Sequence, residues 1–586
     1  MRYQVSPVIL AVLAGSRFSS AAAQTDDPFP AVFELSSLNG TNGFTLKGAD
    51  AFDSSGGSVS SAGDINGDGV DDLLIGALFA DPNGDWSGES YVIFGGVGVG
   101  ASGVIELSSI NGTNGFVLNG IDASDLSGSS VAASGDVNGD GMDDLIIGAV
   151  SADPNGESDA GETYVVFGGV GVGASGVIEL SSLDGMNGFV INGIDEDDRS
   201  STSVSSAGDI NGDGVDDLVI GSRYADPNGE SDAGESYVVF GGVGVGASGV
   251  IELSSLNGTN GFVVNGIDDN DNSGRSVSSA GDINGDGTDD LLIGARGGDP
   301  NGSSSGESYV VFGGKGVGAS GSVELSALNG TNGFVINGID FFDFSGTEVS
   351  SAGDVNGDGA DDLIISAYSA NSEVGECYVV FGGAGVGASG VIELSSLNGT
   401  NGFLLNGIDE EDRCGHAVSS AGDINGDGVD DLVIGAGNAD PNGGSSGESY
   451  VVFGGVGVGA SGSIELSSLN GTNGFIVNGI SFGDRSGRSA SSAGDINGDG
   501  IADLVIGAYR ANPDGKSDAG ESYVVFGRDL SPCVADTNGD GALTPTDFTA
   551  WINAYNNGLS GCDQNGDGSC TPTDFTAWIA NFNAGC

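Results

Sequence analysis

One loop, reading DINGDGVDD in its first copy, recurs seven times along the chain, starting at Asp64, Asp136, Asp209, Asp282, Asp354, Asp423 and Asp495. The copies stand about 72 residues apart, shortened once by a deletion near Asn371. Self-similarity at such a period marks a repeat architecture, in which one supersecondary unit cannot bury its own apolar face. Each unit holds four short β-like runs; in the first these are GGSVSSAG, DDLLIGA, ESYVIFGG and, after a glycine-rich connection, GFVLNG. Four strands per repeat predict a propeller blade.

The ends of the array sharpen this. A GF-x-x-x-G strand stands at Gly43, Gly115, Gly188, Gly261, Gly333, Gly402 and Gly474, so one precedes the first loop and none follows the last YVVFG. If Phe44 to Gly48 supplies the outer strand of the blade built on Asp495, the ring closes and leaves no unmatched edge to aggregate. The expectation is therefore an all-β, closed seven-bladed propeller over residues 32–528, with an open solenoid as the alternative.

Composition narrows the partners. The formal charge is −69, from 83 acids against 14 Lys plus Arg, which excludes nucleic acid and disfavours a bare anionic membrane surface. Calcium is the natural counter-charge, although such acidity also suits a protein solvated in salty water. The N-terminus, MRYQVSPVILAVLAGSRFSSAAAQ, has Arg2, a short apolar run and a small-residue site ending at Ala23. This predicts a signal peptide over 1–23, then a linker over 24–31. No later stretch approaches the roughly 20 apolar residues of a spanning helix, so the expected location is secreted or cell-surface associated, with no transmembrane segment in the mature chain.

The run GDINGDGVDDLLIGA…GESYVIFGG, with FG at Phe94-Gly95 and GA at Gly76-Ala77, resembles the FG-GAP repeat of integrin α-subunit propellers. The resemblance implies that each loop joins the first two strands of a blade and binds calcium through positions 1, 3, 5, 7 by its carbonyl, and 9. In this chain those are Asp64, Asn66, Asp68, Val70 and Asp72; Asp136, Asn138, Asp140, Met142 and Asp144; Asp209, Asn211, Asp213, Val215 and Asp217; and Asp282, Asn284, Asp286, Thr288 and Asp290. The later copies give Asp354, Asn356, Asp358, Ala360 and Asp362; Asp423, Asn425, Asp427, Val429 and Asp431; and Asp495, Asn497, Asp499, Ile501 and Asp503. The spacing suits the chemistry as well, because calcium takes six to eight oxygen ligands and Gly67 and Gly69 permit angles that a β-carbon disfavours. The metal is read as structural; turns that are merely acidic and solvated are the alternative.

The calcium loops and the VGVGASGVIELSSLNGTNG connections hardly vary from copy to copy, which marks their shared face as scaffold. The opposite face varies. Its loops hold most of the scarce cations, Arg199, Arg223, Arg275, Arg296, Arg413, Arg485, Arg488, Arg510 and Lys516, together with Phe79, Trp86, Tyr224, Phe341, Phe342, Phe344, Tyr368, Phe482 and Tyr509. Arginine and aromatic residues are favoured interface anchors, and the integrin resemblance implies ligand binding on this face. The expected partner is an extracellular protein or glycan; the alternative is that exposed loops drift and their arginines pair with neighbouring aspartates. No catalytic signature stands out: the sole histidine, His416, lies near Cys414 in a loop, with no nucleophile elbow, zinc signature or phosphate loop. The chain is read as a binding module and not an enzyme, with a polysaccharide-degrading or other hydrolytic enzyme built on the propeller as the runner-up.

After Arg528 the loop opening returns with another exit. SPCVADTNGDGALTPTDFTAWINAYNNG and GCDQNGDGSCTPTDFTAWIANFNAGC each place an acid at position 12, then apolar residues at helical spacing: Phe548, Trp551, Ile552 and Tyr555, and Phe575, Trp578, Ile579 and Phe582. The pair resembles a dockerin of the GC type, over 529–586. That implies ligands Asp536, Asn538, Asp540, Ala542 and Asp547, then Asp563, Asn565, Asp567, Ser569 and Asp574, for about nine calcium sites in all. It also implies a cohesin-like scaffold partner facing Thr544, Thr546, Thr571 and Thr573; an EF-hand-like pair that only stabilises the C-terminus is the alternative. In an oxidising compartment the six cysteines are expected to pair, Cys377 with Cys414 across neighbouring strand ends. Cys533, Cys562, Cys570 and Cys586 allow three pairings, of which 533 with 586 and 562 with 570 is the expected one.

Overall fold

The computed structural model describes residues 28–530 and, beyond them, 537, 545–557, 562 and 570–584. The expected signal peptide, Cys533, Cys586, Thr544 and the expected ligands Asp536, Asn538, Asp540, Ala542, Asp563, Asn565, Asp567 and Ser569 lie outside the described residues. Contacts divide the chain into compact units, one of them Pro28–Ser531, with Pro532–Cys586 in the other.

Residues 28–530 form seven sheets. Blade 1 is built on the loop at Asp64, and so on to blade 7 at Asp495. In blade 1 the strands Ser58–Gly63, Asp72–Ala77, Glu89–Ile93 and Gly115–Asn119 pair antiparallel in chain order. Every residue of Asp72–Ala77 is buried, because sheets cover both its faces, so its sequence reads as a continuous apolar run. The first strand carries small residues, SVSSAG, where seven such strands meet around the axis. Apolar clusters fill the space between neighbouring sheets; one joins Leu74, Val92 and Phe116 of blade 1 to Leu145, Ile147 and Tyr164 of blade 2.

The sheets have five strands, not the expected four. The extra strand is a three-residue piece of the glycine-rich connection. Val177–Glu179, on the way between the third and fourth strands of blade 2, reaches back and pairs parallel with Gly115–Asn119 of blade 1. Its last residue then clamps the neighbour: Glu179 accepts from Nδ2 of Asn119 and of Asn83.

The ring closes as the sequence predicts. Gly43–Lys47 pairs with Glu521–Val525 as the fourth strand of blade 7. Phe44 meets Phe526 with centroids 5.8 Å apart, as Phe94 meets Phe116 within blade 1. The preceding Val32–Glu34 adds itself to Gly474–Asn478 of blade 6, and Phe29 stacks on Phe475 at 4.2 Å. The N-terminal segment therefore bridges two blades.

The disulfide expected between Cys377 and Cys414 is not formed. Both thiols are free and fully buried, and their hydrogen bond, followed by burial, pushes the Cys377 thiol well above its usual range. Other blades hold buried serines here, such as Ser308 and Ser345, so the site accepts a pair of small side chains without a bond between them.

In the C-terminal unit the expected helices are present as α1, Pro545–Asn557, and α2, Pro572–Ala584. Phe548 lies 5.6 Å from Phe575 and 5.1 Å from Trp578, so the aromatic stripes face one another. Cys562 is bonded to Cys570, in agreement with the expected pairing.

Candidate functional site

The seven loops have one geometry. In blade 1 the Asp64 carboxylate accepts the Asp68 N–H at 2.9 Å through Oδ1 and the Gly69 N–H at 2.8 Å through Oδ2. Asp68 in turn accepts the Val70 N–H. The same bonds hold Asp136, Asp140 and Met142; Asp209, Asp213 and Val215; and Asp282, Asp286 and Thr288. They recur at Asp354, Asp358 and Ala360; Asp423, Asp427 and Val429; and Asp495, Asp499 and Ile501. A carboxylate at position 1 thus organises the turn.

Position 9 lies deeper. Asp72 is fully buried; it accepts Nδ2 of Asn66 and, at 2.8 Å, the N–H of Gly95, the glycine of the FG pair. Asp144, Asp217, Asp290, Asp362, Asp431 and Asp503 repeat this with Gly168, Gly241, Gly313, Gly382, Gly454 and Gly527. They also accept from Asn138, Asn211, Asn284, Asn356, Asn425 and Asn497. Only glycine fits at Gly95: an added Cβ would stand 2.1 Å from the Asp71 carbonyl oxygen and 2.7 Å from that of Ile496. Burial first, with Asp68 and Asp64 adding repulsion, pushes Asp72 up to about 7; Asp144 and Asp431 rise to about 8.

The acid at position 8, which sequence reasoning passes over as a non-ligand, ties blades together. Asp143 Oδ2 of blade 2 accepts the Asp64 N–H of blade 1 at 2.8 Å. Asp216, Asp289, Asp361 and Asp430 do the same for Asp136, Asp209, Asp282 and Asp354, and Asp71 closes the ring onto Asp495. At the boundary of blades 6 and 7 the acid is replaced by Ala502. There the chain leaving blade 7 adds a bond that no other seam has, the Leu530 N–H donating to the Asn425 carbonyl, beside the Arg528 N–H to Ile424 carbonyl bond that recurs at every seam, as from Gly96 to Ile496. Repetition of the acid in six copies was the available signal.

Among the described residues no three His, Cys, Asp or Glu side chains are gathered into a metal cage; the loop carboxylates accept N–H groups, and each Asn turns its amide nitrogen toward position 9. The donor types nevertheless suit a hard cation: each loop offers three acids, an amide oxygen and a backbone carbonyl, and burial first, with repulsion from the other two acids after it, raises the deepest acid. In the C-terminal unit Asp547 and Asp574 are fully buried. Asp574 accepts the Thr571 N–H at 2.6 Å, an acid closing the first turn of α2 as in a capping box. Thr546 and Thr573 are exposed.

The opposite face gathers cations into two groups. Arg223 is pushed down to about 10, by burial first and then by Arg275, with Arg296 and Arg199 adding to the repulsion. Arg199 and Arg223 lie over the Tyr224 ring at 5.7 and 4.6 Å. Around His416 stand Arg488, Arg413 and Arg485; burial first, and then their repulsion, pushes the imidazole down to about 3. Of these seven arginines and Arg510, only Arg275 and Arg413 have a carboxylate partner among the described residues, Glu348 at 3.7 Å and Glu373 at 2.9 Å. Among the described residues, Arg199, Arg223, Arg296, Arg485, Arg488 and Arg510 have none within 4 Å.

The FG-GAP repeat family matches residues 55–93, 127–166, 201–239, 273–311, 345–389, 415–452 and 486–525, once per blade. The chain is 30% identical over 194 residues to integrin alpha-5 of Xenopus laevis, which covers 30% of this chain and 17% of that protein. It is 32% identical over 167 residues to human integrin alpha-IIb, covering 27% and 14%, and 27% identical over 201 residues to Drosophila melanogaster integrin alpha-PS2, covering 33% and 13%. The matched part is less than a fifth of each of these relatives. No helix among the described residues is long and apolar enough to cross a membrane. With one match on each sheet of a closed ring, the chain is a seven-bladed FG-GAP β-propeller.

Proposed function

We propose that this chain is an extracellular, calcium-loaded binding or adhesion module that engages a protein or glycan through the face opposite its loops. The observation that carries the reading is the set of six arginines without a carboxylate partner on one face of a chain with formal charge −69. In so acidic a protein, drifting loops would be expected to neutralise their arginines internally; arginines left for a partner, five of them partly buried and Arg510 exposed, are characteristic of interfaces. The integrin relatives support an adhesive role, and the reading assigns no catalytic residue.

In this reading positions 1, 3, 5, 7 and 9 of each loop, such as Asp64, Asn66, Asp68, the Val70 carbonyl and Asp72, hold calcium, each Asn turning its amide oxygen inward. The ion supplies positive charge where three carboxylates converge. Asp547 and Asp574 would each close a further site in a dockerin-like unit that tethers the module to a cohesin-like scaffold. The test of the face is capture of extracellular matrix and surface glycoproteins by the full chain in calcium, comparing the parent with an Arg223→Ala, Arg485→Ala, Arg510→Ala triple variant. At least tenfold weaker capture by a folded variant is expected; unchanged capture would remove this face from the reading. Tethering is tested by the isolated 529–586 segment, which should retain a surface partner in calcium and release it in chelator.

A further inference from the structure

At the centre of the same face, all seven blades contribute residues at or next to their first strands to one cavity of about 450 Å³ on the propeller axis. This size falls in the range of small-molecule sites. Its charged lining residues are Arg275, Arg488 and Glu348, and Ser58, Ser129, Ser130, Thr202, Ser203 and Ser489 add hydroxyls. Ser58, Ser130 and Ser203 each accept the backbone N–H of the next blade, at Val131, Val204 and Val277. Each of these three hydroxyls is thereby used as an acceptor and keeps its own proton to donate, whereas Ser129, Thr202 and Ser489 give theirs to the carbonyls of Gly148, Arg199 and Gly56.

The cations are poorly satisfied. Arg488 donates to the His416 carbonyl oxygen and has no carboxylate within 4 Å among the described residues. Arg275 shares Glu348, but its Nε is buried without a partner, as is His416 Nδ1. With two guanidinium groups against one carboxylate, the pit is net positive in a chain otherwise dominated by acids. A guanidinium matches a carboxylate in charge and in fork geometry.

The approach is lined with rings. Tyr509 and Phe79 reach the cavity wall. Phe79 continues into Trp86, which is 55% exposed. A stack of Phe342, Phe344, Tyr368 and His416 runs from an exposed loop inward, with centroids 5.8 to 6.3 Å apart. Flat apolar rings beside hydroxyl donors and two arginines suit a ligand that is flat on one side, rich in hydroxyls and anionic.

We propose that the axial pit binds the carboxylate of an acidic sugar residue, a uronate of an extracellular glycan, between Arg488 and Arg275. The proposal rests on the recognition-face reading and names its ligand class. An acidic protein side chain shares the carboxylate but makes no use of the hydroxyl ring or of the aromatic approach.

The test is a calorimetric titration of the full chain, in excess calcium, with trigalacturonate, its methyl ester and hexaglutamate. Trigalacturonate is expected to bind, the ester at least tenfold more weakly and hexaglutamate more weakly as well. Arg488→Gln, checked for folding by circular dichroism and Tm, should lose at least tenfold, and Glu348→Gln should bind no more weakly than the parent. Equal binding of the ester, full affinity in folded Arg488→Gln, a stronger response to hexaglutamate, or no response to any probe would overturn the proposal. Calcium bridging of the polyacid to the loops would also survive Arg488→Gln, and so counts against it. Loss of capture in the rim variant, with an unaltered response here, would separate failure of the recognition face from failure of the pit.

Discussion

Adding one methyl at Gly95 is expected to unseat a blade. The atoms it would meet are the main-chain carbonyl oxygens of Asp71 and Ile496, the second from the neighbouring blade, and neither is the movable end of a side chain. Overpacking of this kind costs about 1–3 kcal/mol. Gly95→Ala should therefore lower the denaturation midpoint, and an unchanged midpoint would show that the blade seam has room to relax. The inter-blade acid predicts a similar effect by a different cause. Removing the Asp143 carboxylate leaves the Asp64 N–H, at 2.8 Å, without its acceptor in a half-buried seam. An unsatisfied buried donor costs about 1–3 kcal/mol, so Asp143→Ala should lose that much by urea unfolding, and Asp143→Asn, which keeps an acceptor oxygen, should lose less. The boundary at Ala502 is a natural version of the Ala change, and there one added backbone bond, from the Leu530 N–H to the Asn425 carbonyl, stands where the acid's bond is missing.

At the scale of strands and loops, the N-terminal segment carries a sharp expectation. Removing residues 1–47 would take from Glu521–Val525 and Gly474–Asn478 one of their two partner strands each, exposing edges that template association. The truncated chain should elute as oligomer or aggregate in size-exclusion chromatography; a stable monomer would mean that the ring tolerates an open seam. The inter-blade loops predict a pH dependence. Asp125, Asp198 and Asp271 are pushed up to about 7, chiefly by burial. A carboxyl raised above its unfolded value near 4 binds more protons folded than unfolded, so its contribution is present at low pH and lost as pH rises through 7. In calcium-saturated protein Tm should fall between pH 5 and pH 8, and Asp125→Asn, neutral throughout, should flatten that slope.

The same elements show what the sequence could and could not disclose. Four strands per blade were legible because alternation and apolar runs are local signals, and closure was legible because one strand was displaced from the end of the array to its start. The fifth strand was not. Val177–Glu179 is three residues long within a glycine-rich connection, and its partner lies in the preceding blade. The common turn of the seven loops was legible from its repeated spacing, while the position 8 acid was visible only as a repetition, since its partner stands 79 residues away in the case of Asp143. Cys377 and Cys414 were rightly placed as neighbours; adjacency follows from topology, but bonding does not.

For the whole molecule the decisive quantity is charge. With 83 acids and 14 Lys plus Arg, self-repulsion opposes the compact state, and the loops concentrate that repulsion around Asp72 and its six counterparts. Two kinds of cation could relieve it, and they predict different measurements. Diffuse screening depends on ionic strength alone and is nearly saturated in physiological salt, where the Debye length is about 8 Å. Calcium held by the native loops stabilises by mass action, about 2.7 kcal/mol for each site at a free concentration 100-fold above Kd. Because the sites sit at blade seams, unfolding would release several together. Chelation at constant ionic strength should therefore lower Tm by on the order of 10 °C or more, and sodium chloride added to the same ionic strength should not restore it. If sodium restores the full Tm, the loops are solvated turns and the charge is relieved by screening. If only calcium does, the loops are metal sites, and the arginines of the opposite face stand, among the described residues, as a cationic cluster open to an acidic partner.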